Sequence, residues 1–291
     1  MEVLSGIVGG CGSISILIVG EAVMHSAYVD VHCHLTESAY ELDLAAVIER
    51  AASRGVTQLV VNGVDPASNR KILEMQQQYP TVRAAVGIYP IQAVSRHLSQ
   101  LPMPIEVLQD PDAEIRFIAE QAQAGTIVAI GECGLDAHWL GPETFAEQER
   151  VFLALVDVAK QQDLPVIVHS RKLEMRTYEL LREANPGRVV FHCWGGRVKQ
   201  AIEIAQLHPG WAFSIPANAR RNGAFEKMLR ELPETSLLTE TDSPYLSPLP
   251  ATRNEPQNVV DTIEFLAALR NWKVETAKDL VWRNFCRIFT I

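Results

Sequence analysis

Short apolar runs rich in β-branched residues alternate along the chain with segments whose apolar residues recur every three or four positions. The first pattern predicts buried strands and the second predicts amphipathic helices. The eight predicted strands are Tyr28–His32, Thr57–Val61, Val82–Gly87, Ile127–Gly131, Pro165–His169, Val189–His192, Trp211–Ser214 and Ser236–Glu240. Eight strand–helix units predict an α/β fold, a single (β/α)8 TIM barrel. An open doubly wound sheet is the alternative, but no Gly-x-Gly-x-x-Gly turn follows the first strand.

The segment that opens at Thr144 shows the helical pattern most clearly. Glu147 follows Thr144 at a spacing of three, which predicts a capping box at the start of a helix. Its apolar stripe contains Phe152, Leu155, Val156 and Ala159. Two long connections, 89–110 and 242–257, follow the third and eighth strands, on the face of a barrel where long loops are usually functional.

Composition narrows the possible functions. Of 291 residues, 47% are hydrophobic and 21% are charged, which excludes disorder as the main state and fits one α/β barrel. The net charge of −9 argues against a protein that coats nucleic acid or anionic membrane, although a local basic site stays possible. The five cysteines include no Cys-x-x-Cys pair, which predicts free thiols in the cytoplasm.

Residues 1–23 differ from the rest of the chain. The run 7–20 is apolar, but a secretion signal would also require Lys or Arg near its start, and residues 1–23 contain neither. The run is also short for a membrane span. Met24 directly precedes the first strand. We expect residues 1–23 to be a start-site artefact or a disordered extension and residues 24–291 to form the barrel. A weak membrane-targeting tail is the second interpretation.

Side chains of the types that commonly bind metals stand at the ends of five predicted strands. They are His32, His34, Glu132, His169, His192 and Asp242. Residues two apart on a strand share a face, so His32 and His34 can hold one ion together. All these strand ends meet on one rim of a barrel. Each residue alone is more often structural, but the combined set predicts two divalent ions with mixed nitrogen and oxygen ligands, such as Zn, Mn or Co, and less readily Mg.

In these residues the chain resembles the TatD-type metal-dependent deoxyribonucleases, a branch of the amidohydrolase-like barrels. The likeness runs in unbroken order from Tyr28 to Phe289. The matching segments are Asp30–Leu35, Gly131–Asp136, Leu164–Arg171, Phe191–Gly196, Glu240–Tyr245, Arg253–Val259 and Asn284–Phe289.

The resemblance implies a ligand set and a reaction. One ion would bind His32, His34, Glu132 and Asp242, and the second would bind His169 and His192, with Glu132 bridging. The family hydrolyses DNA phosphodiesters, typically as an exonuclease on single-stranded ends. Two metals can activate a shared water and clamp phosphoryl oxygens, and Asp242 could orient that water and accept its proton.

Substrate contacts are predicted on the same rim. Tyr89 stands where the family usually has a histidine, and it could bond a phosphate or stack on a base. The segment after Arg171 lacks the family's usual acidic residue. Arg171 and Arg253 are candidates to bind phosphate, and Trp194 is a candidate platform for a base. Two other arginines, Arg220 and Arg221, also lie on this rim. We expect one or both to be ordinary surface charges.

Two other functions remain open. An amidohydrolase that cleaves C–N or ester bonds would use the same barrel, although many such enzymes carry a modified lysine where this chain has Glu132. A barrel without catalysis that serves as a binding partner is less favoured, because every metal-type residue is retained. We expect a cytoplasmic monomer that acts on DNA and does not bind membranes.

Overall fold

A computed structural model of the protein describes residues 26–102 and 105–290. In it, eight parallel strands form one sheet in chain order. The strands are β1 (Tyr28–Cys33), β2 (Val56–Asn62), β3 (Val82–Val86), β4 (Ala129–Asp136), β5 (Val166–Arg171), β6 (Val189–His192), β7 (Trp211–Ile215) and β8 (Leu237–Thr239). The extension predicted over residues 1–23 lies outside the described residues.

The sheet closes on itself where the segment after β8 meets β1. The Asp242 N–H donates to the His32 carbonyl at 2.9 Å, and the His34 N–H donates to the Ser243 carbonyl at 2.8 Å. An open doubly wound sheet would leave two free edges. The predicted single (β/α)8 barrel is therefore confirmed.

Helices cover the outside of the sheet and turn their apolar faces toward it. The helices are α1 (Leu44–Ser53), α2 (Pro66–Gln78), α3 (Pro90–Val94), α4 (Pro111–Gln123), α5 (Phe145–Gln161), α6 (Glu174–Ala184), α7 (Val198–Leu207), α8 (Gly223–Glu231), α9 (Val259–Arg270) and α10 (Val274–Phe289). Within residues 26–102 and 105–290, no helix combines the length and apolar character needed to cross a membrane.

The start of α5 departs from its prediction. The helix begins at Phe145, but the Thr144 hydroxyl donates to the Gly141 carbonyl at 2.7 Å and does not cap the helix. Glu147 pairs instead with Arg150 at 2.7 Å. The predicted capping box is wrong because the 3-10 turn Pro142–Thr144 runs directly into the helix, so Thr144 has a helical backbone and not the extended one that an N-cap residue adopts. The predicted stripe of Phe152, Leu155, Val156 and Ala159 is buried.

Strands β4 and β5 extend farther than predicted. The two strands pair as far as Asp136 and Arg171. Glu132 and His169 consequently stand within strands and not at their ends. A side chain within a paired strand has less freedom than one on a loop, which suits residues that must hold a fixed geometry.

Candidate metal centre

Four donor atoms converge where β1 and β4 meet the segment after β8. His32 Nε2 and His34 Nε2 lie 3.1 Å apart, and each is 3.4 Å from Glu132 Oε2. Asp242 Oδ1 lies 3.7 Å from the first nitrogen and 3.4 Å from the second. Ligands of a tetrahedral zinc ion, with metal–nitrogen bonds near 2.05 Å, stand about 3.3 Å apart. The donor set therefore fits a divalent cation.

The other oxygen of Glu132 faces a second group of donors. Glu132 Oε1 lies 3.0 Å from His169 Nδ1 and 3.8 Å from His192 Nε2. The ligand atoms of these three residues all lie within 4.8 Å of one another, as do those of His32, His34 and Glu132. The structure thus brings together all six residues that the sequence predicts as ligands, with Glu132 between two groups.

Backbone geometry fixes two of these ligands. Asp242 adopts a left-handed conformation with φ of 54°, which non-glycine residues rarely adopt, and the bond from its N–H to His32 holds it there. Gly134 has φ of 147°, and a Cβ at this position would collide with the carbonyl oxygen of His169. The glycine therefore lets β4 approach β5 closely enough for His169 to reach Glu132.

Burial and charge shift the titration of the ligands in opposite directions. Burial lowers the pKa of His192, but the carboxylates of Glu240 and Asp242 outweigh it and raise this pKa to about 10. Burial also opposes charge at His34, where Asp242 and Glu132 raise the pKa to about 9. Burial raises the pKa of Glu132, yet the surrounding histidines hold it well below its usual range. Protons on His34 and His192 thus balance the carboxylates in the metal-free protein, whereas burial lowers the pKa of His32.

Three of the four imidazoles have a hydrogen-bond partner at the ring nitrogen that faces away from the other donors. His169 Nε2 lies 3.1 Å from Asp136 Oδ2, and His192 Nδ1 lies 3.1 Å from Glu240 Oε2. His34 Nδ1 lies 3.1 Å from the backbone carbonyl of Asn62. The Nδ1 atom of His32 is buried and has no hydrogen-bond partner in the described part of the chain. Such contacts fix ring orientation and tautomer at metal sites.

Sequence reasoning assigned no role to the two carboxylates behind the histidines. Glu240 stands two residues before Asp242 and is fully buried, where it also accepts bonds from Ser214 Oγ and the Cys193 N–H. Asp136 closes the segment that contains Glu132. Because a buried carboxylate requires a partner, acidic residues this close to predicted ligands indicate hydrogen bonds to the histidines.

A third buried carboxylate, Asp30, ties β1 to the segment after β8. It accepts hydrogen bonds from the Thr241 N–H at 2.9 Å, from the Thr241 hydroxyl and from the His32 N–H at 3.2 Å. Burial nevertheless raises its pKa to about 8. Asp30 therefore braces the junction at which His32 and Asp242 meet.

The predicted substrate contacts fall into different places. Tyr89 lies beside the centre, with its hydroxyl 3.4 Å from His169 Nε2. Arg171 is exposed at the end of β5. Arg253 is engaged by Asp43 at 2.7 Å and by Glu255 at 2.8 Å, so both ends of its guanidinium are already bound.

Trp194 is the clearest correction among the predicted substrate contacts. It is 1% exposed, and its ring packs against Phe191 and Phe213 in the core. An indole buried in this way presents no free face, so the prediction of a base platform at Trp194 is wrong.

Of the other rim arginines, Arg220 lies over the Phe265 ring at 4.3 Å.

Two thiols next to the ligands, those of Cys33 and Cys133, point away from the metal centre, as the alternation of a strand predicts. Cys33 Sγ lies 3.6 Å from the Val60 carbonyl, and Cys133 Sγ lies 3.9 Å from the Ile167 carbonyl. Burial raises the pKa of both thiols, so they stay protonated and do not compete as ligands.

Comparisons with known proteins identify the family of this chain. The family model described as TatD related DNase matches residues 29–290, and the chain belongs to this family. Human "Deoxyribonuclease TATDN3" is 33% identical over 90% of this chain and 94% of its own length. The Bacillus subtilis protein named "Uncharacterized metal-dependent hydrolase YabD" is 31% identical over 90% and 98%. Among solved structures, the TatD homologue YJJV from Escherichia coli superposes with a TM-score of 0.78 at 25% identity, over 91% of this chain and 98% of that one.

Proposed function

We propose that this protein is a metal-dependent hydrolase that cleaves DNA phosphodiester bonds from single-stranded ends with two divalent ions. The observation that carries the proposal is the position of Glu132, whose two oxygens face two adjoining groups of donors. The names of the family and of the human relative support DNA as the substrate.

The residues of the chain would divide the work between binding and proton transfer. Two bound ions would supply Lewis-acid stabilisation of the phosphoryl oxygens and lower the pKa of a water. In the metal-free protein, burial raises the pKa of Asp242, but the charges of His192 and His34 outweigh it and lower this pKa. With two ions bound, the charge of the ions would replace that of the histidines and keep the carboxylate ionised. An ionised carboxylate at this position can accept a proton from a water held between the two donor groups. Asp242 therefore serves as the base.

Tyr89 and Arg171 are suited to the phosphate. Burial and the nearby carboxylates raise the pKa of Tyr89, so its hydroxyl keeps its proton and can donate a hydrogen bond. Arg171 is exposed on the rim, where its guanidinium can bind a phosphate of the strand. An amidohydrolase reaction stays the second candidate from the sequence, and Glu132 at the bridging position favours phosphodiester cleavage over it.

The direct test is digestion of an end-labelled single-stranded oligonucleotide by metal-free protein reconstituted with Mg, Mn, Co or Zn. We expect cleavage with at least one of these metals and a loss of at least about a thousandfold in Asp242→Ala and Glu132→Ala. Leu207→Ala is the matched control, because Leu207 is 69% exposed at the end of α7. Absence of cleavage with all four metals would favour the amidohydrolase reaction, and undiminished cleavage in both variants would refute the assigned site.

A further inference from the structure

Trp139 presents an exposed aromatic ring close to the metal centre. It lies three residues beyond the end of β4 at Asp136, and it is 44% exposed. A tryptophan exposed to this degree has not been placed by packing against the barrel core. Its neighbour His138 meets it edge to face with ring centroids 4.6 Å apart, which limits rotation of the indole. The ring is therefore both accessible and oriented.

A single carboxylate links Trp139 to a candidate metal ligand. Asp136 Oδ1 accepts hydrogen bonds from the backbone N–H groups of His138 and Trp139 at 2.6 and 2.8 Å. The other oxygen of Asp136 lies 3.1 Å from His169 Nε2. The backbone of Trp139 is thus fixed relative to the centre through one buried side chain.

A cation lies next to the indole. The Arg171 guanidinium carbon stands 5.9 Å from the centroid of the Trp139 ring, and the Ala137 N–H donates to the Arg171 carbonyl at 2.9 Å. An aromatic face beside an exposed guanidinium matches one nucleotide, because the base can stack on the ring while a phosphate meets the charge. The same pair offers little to a small uncharged amide.

We propose that Trp139 is a stacking platform for one base of the substrate strand, with Arg171 neutralising an adjacent phosphate. The inference rests on the proposed function, since it assumes that the strand reaches the Glu132 centre. It assigns to Trp139 the role that the sequence had suggested for the buried Trp194. Because stacking is insensitive to base identity, the subsite selects for an unpaired base and not for a sequence.

The test combines a protein change with a substrate change. Cleavage by the metal-loaded protein is measured on a single-stranded oligonucleotide and on a series in which one nucleotide near the cleaved end is abasic. For the wild type we expect kcat/KM to fall about tenfold at one abasic position. Trp139→Ala should lose about the same factor on the intact strand and lose nothing more at that position. Trp139→Phe should retain most of the activity, and Leu207→Ala all of it.

Metal content separates stacking from damage to the centre. Trp139→Ala should bind as many ions as the wild type, as counted by inductively coupled plasma mass spectrometry. Equal losses on intact and abasic strands, or a lower metal content, would overturn the stacking role while leaving the nuclease proposal intact. A wild type that cleaves no strand would overturn the nuclease proposal and the stacking role together.

Discussion

The two halves of the candidate metal centre differ in the number of donors that they offer to a cation. The first half consists of His32, His34 and Asp242 facing Glu132 Oε2, with the measured donor separations between 3.1 and 3.7 Å. The second half consists of His169 and His192 facing Glu132 Oε1, at 3.0 and 3.8 Å. The first half thus has four donors, while the second has three.

The hydrogen-bond partners of the histidines are stronger in the second half than in the first. Both histidines of the second half rest on carboxylates, Asp136 and Glu240. In the first half, His34 rests on a neutral carbonyl and His32 Nδ1 has no partner among the described residues. A carboxylate behind an imidazole makes it a more basic ligand. The comparison suggests that the first half relies on donor number and the second half on donor basicity.

Removal of one histidine from each half should break this balance most strongly. His192→Ala leaves the second half with two donors, so we expect loss of one ion per chain and at least a hundredfold weaker binding of that ion. His34→Ala leaves three donors, and the first ion should return at higher metal concentration. Isothermal titration with each variant measures both. Equal losses in the two variants would contradict the difference in donor number.

Glu240→Gln tests the support behind the second half. The amide cannot accept hydrogen bonds at both ends from His192, Ser214 and the Cys193 N–H as the carboxylate does. We expect about 10- to 100-fold weaker binding of the second ion, with the first ion unaffected. The matched change Asp136→Asn should act on the same ion through His169. An effect confined to the first ion would refute the assignment of these carboxylates.

Metal binding should release protons. The pKa values of His34 and His192 are raised to about 9 and about 10, so both imidazoles are charged at neutral pH before metal binds. Ions must displace these protons, so affinity should rise from pH 7 toward pH 10. Titration calorimetry in buffers of different ionisation enthalpy should give about two protons released at pH 7. Release of none would contradict these shifts.

The same shift affects the metal-free fold. Folding raises the pKa of His192 from its ordinary value of 6.5 to about 10. The protonated histidine therefore stabilises the fold fully below pH 6.5, and this stabilisation is lost as the pH rises through about 10. Chemical denaturation of metal-free protein across this range measures it. Stability that increases from pH 7 to pH 10 would show that His192 is not the dominant group.

Trp194→Phe should have the smallest effect on activity. The residue is buried among Phe191 and Phe213, so the change should lower the free energy of unfolding by about 1 to 2 kcal/mol and leave KM for DNA unchanged. Denaturant unfolding and steady-state cleavage measure the two quantities. A raised KM with unchanged stability would return Trp194 to the substrate path.

The sequence allowed the barrel and the ligands to be predicted because both leave local signals. Alternating apolar runs mark strands, and a pair such as His32 and His34 shares a face by simple spacing. The length of β4 was underestimated because Glu132 and Gly134 interrupt the apolar pattern inside a strand that pairs with β5 as far as Asp136.

Contacts between side chains from distant segments could not be predicted in the same way. Trp194 and Trp139 both follow strands, and only packing distinguishes them: one is 1% exposed and the other is 44% exposed. The pairing of Arg253 with Asp43 joins residues 210 positions apart, which spacing along the chain cannot indicate. The role of Glu240 likewise depends on a histidine from another strand.

The most direct test of a two-ion centre at Glu132 is a metal titration followed by DNA cleavage. Metal-free protein receives increasing equivalents of the activating ion, and the rate on end-labelled single-stranded DNA is recorded beside the amount of bound ion. If Glu132 joins two filled halves, the rate should rise to a plateau at two bound ions per chain. A plateau at one ion, or full cleavage after chelation of all metal, would contradict a two-ion centre.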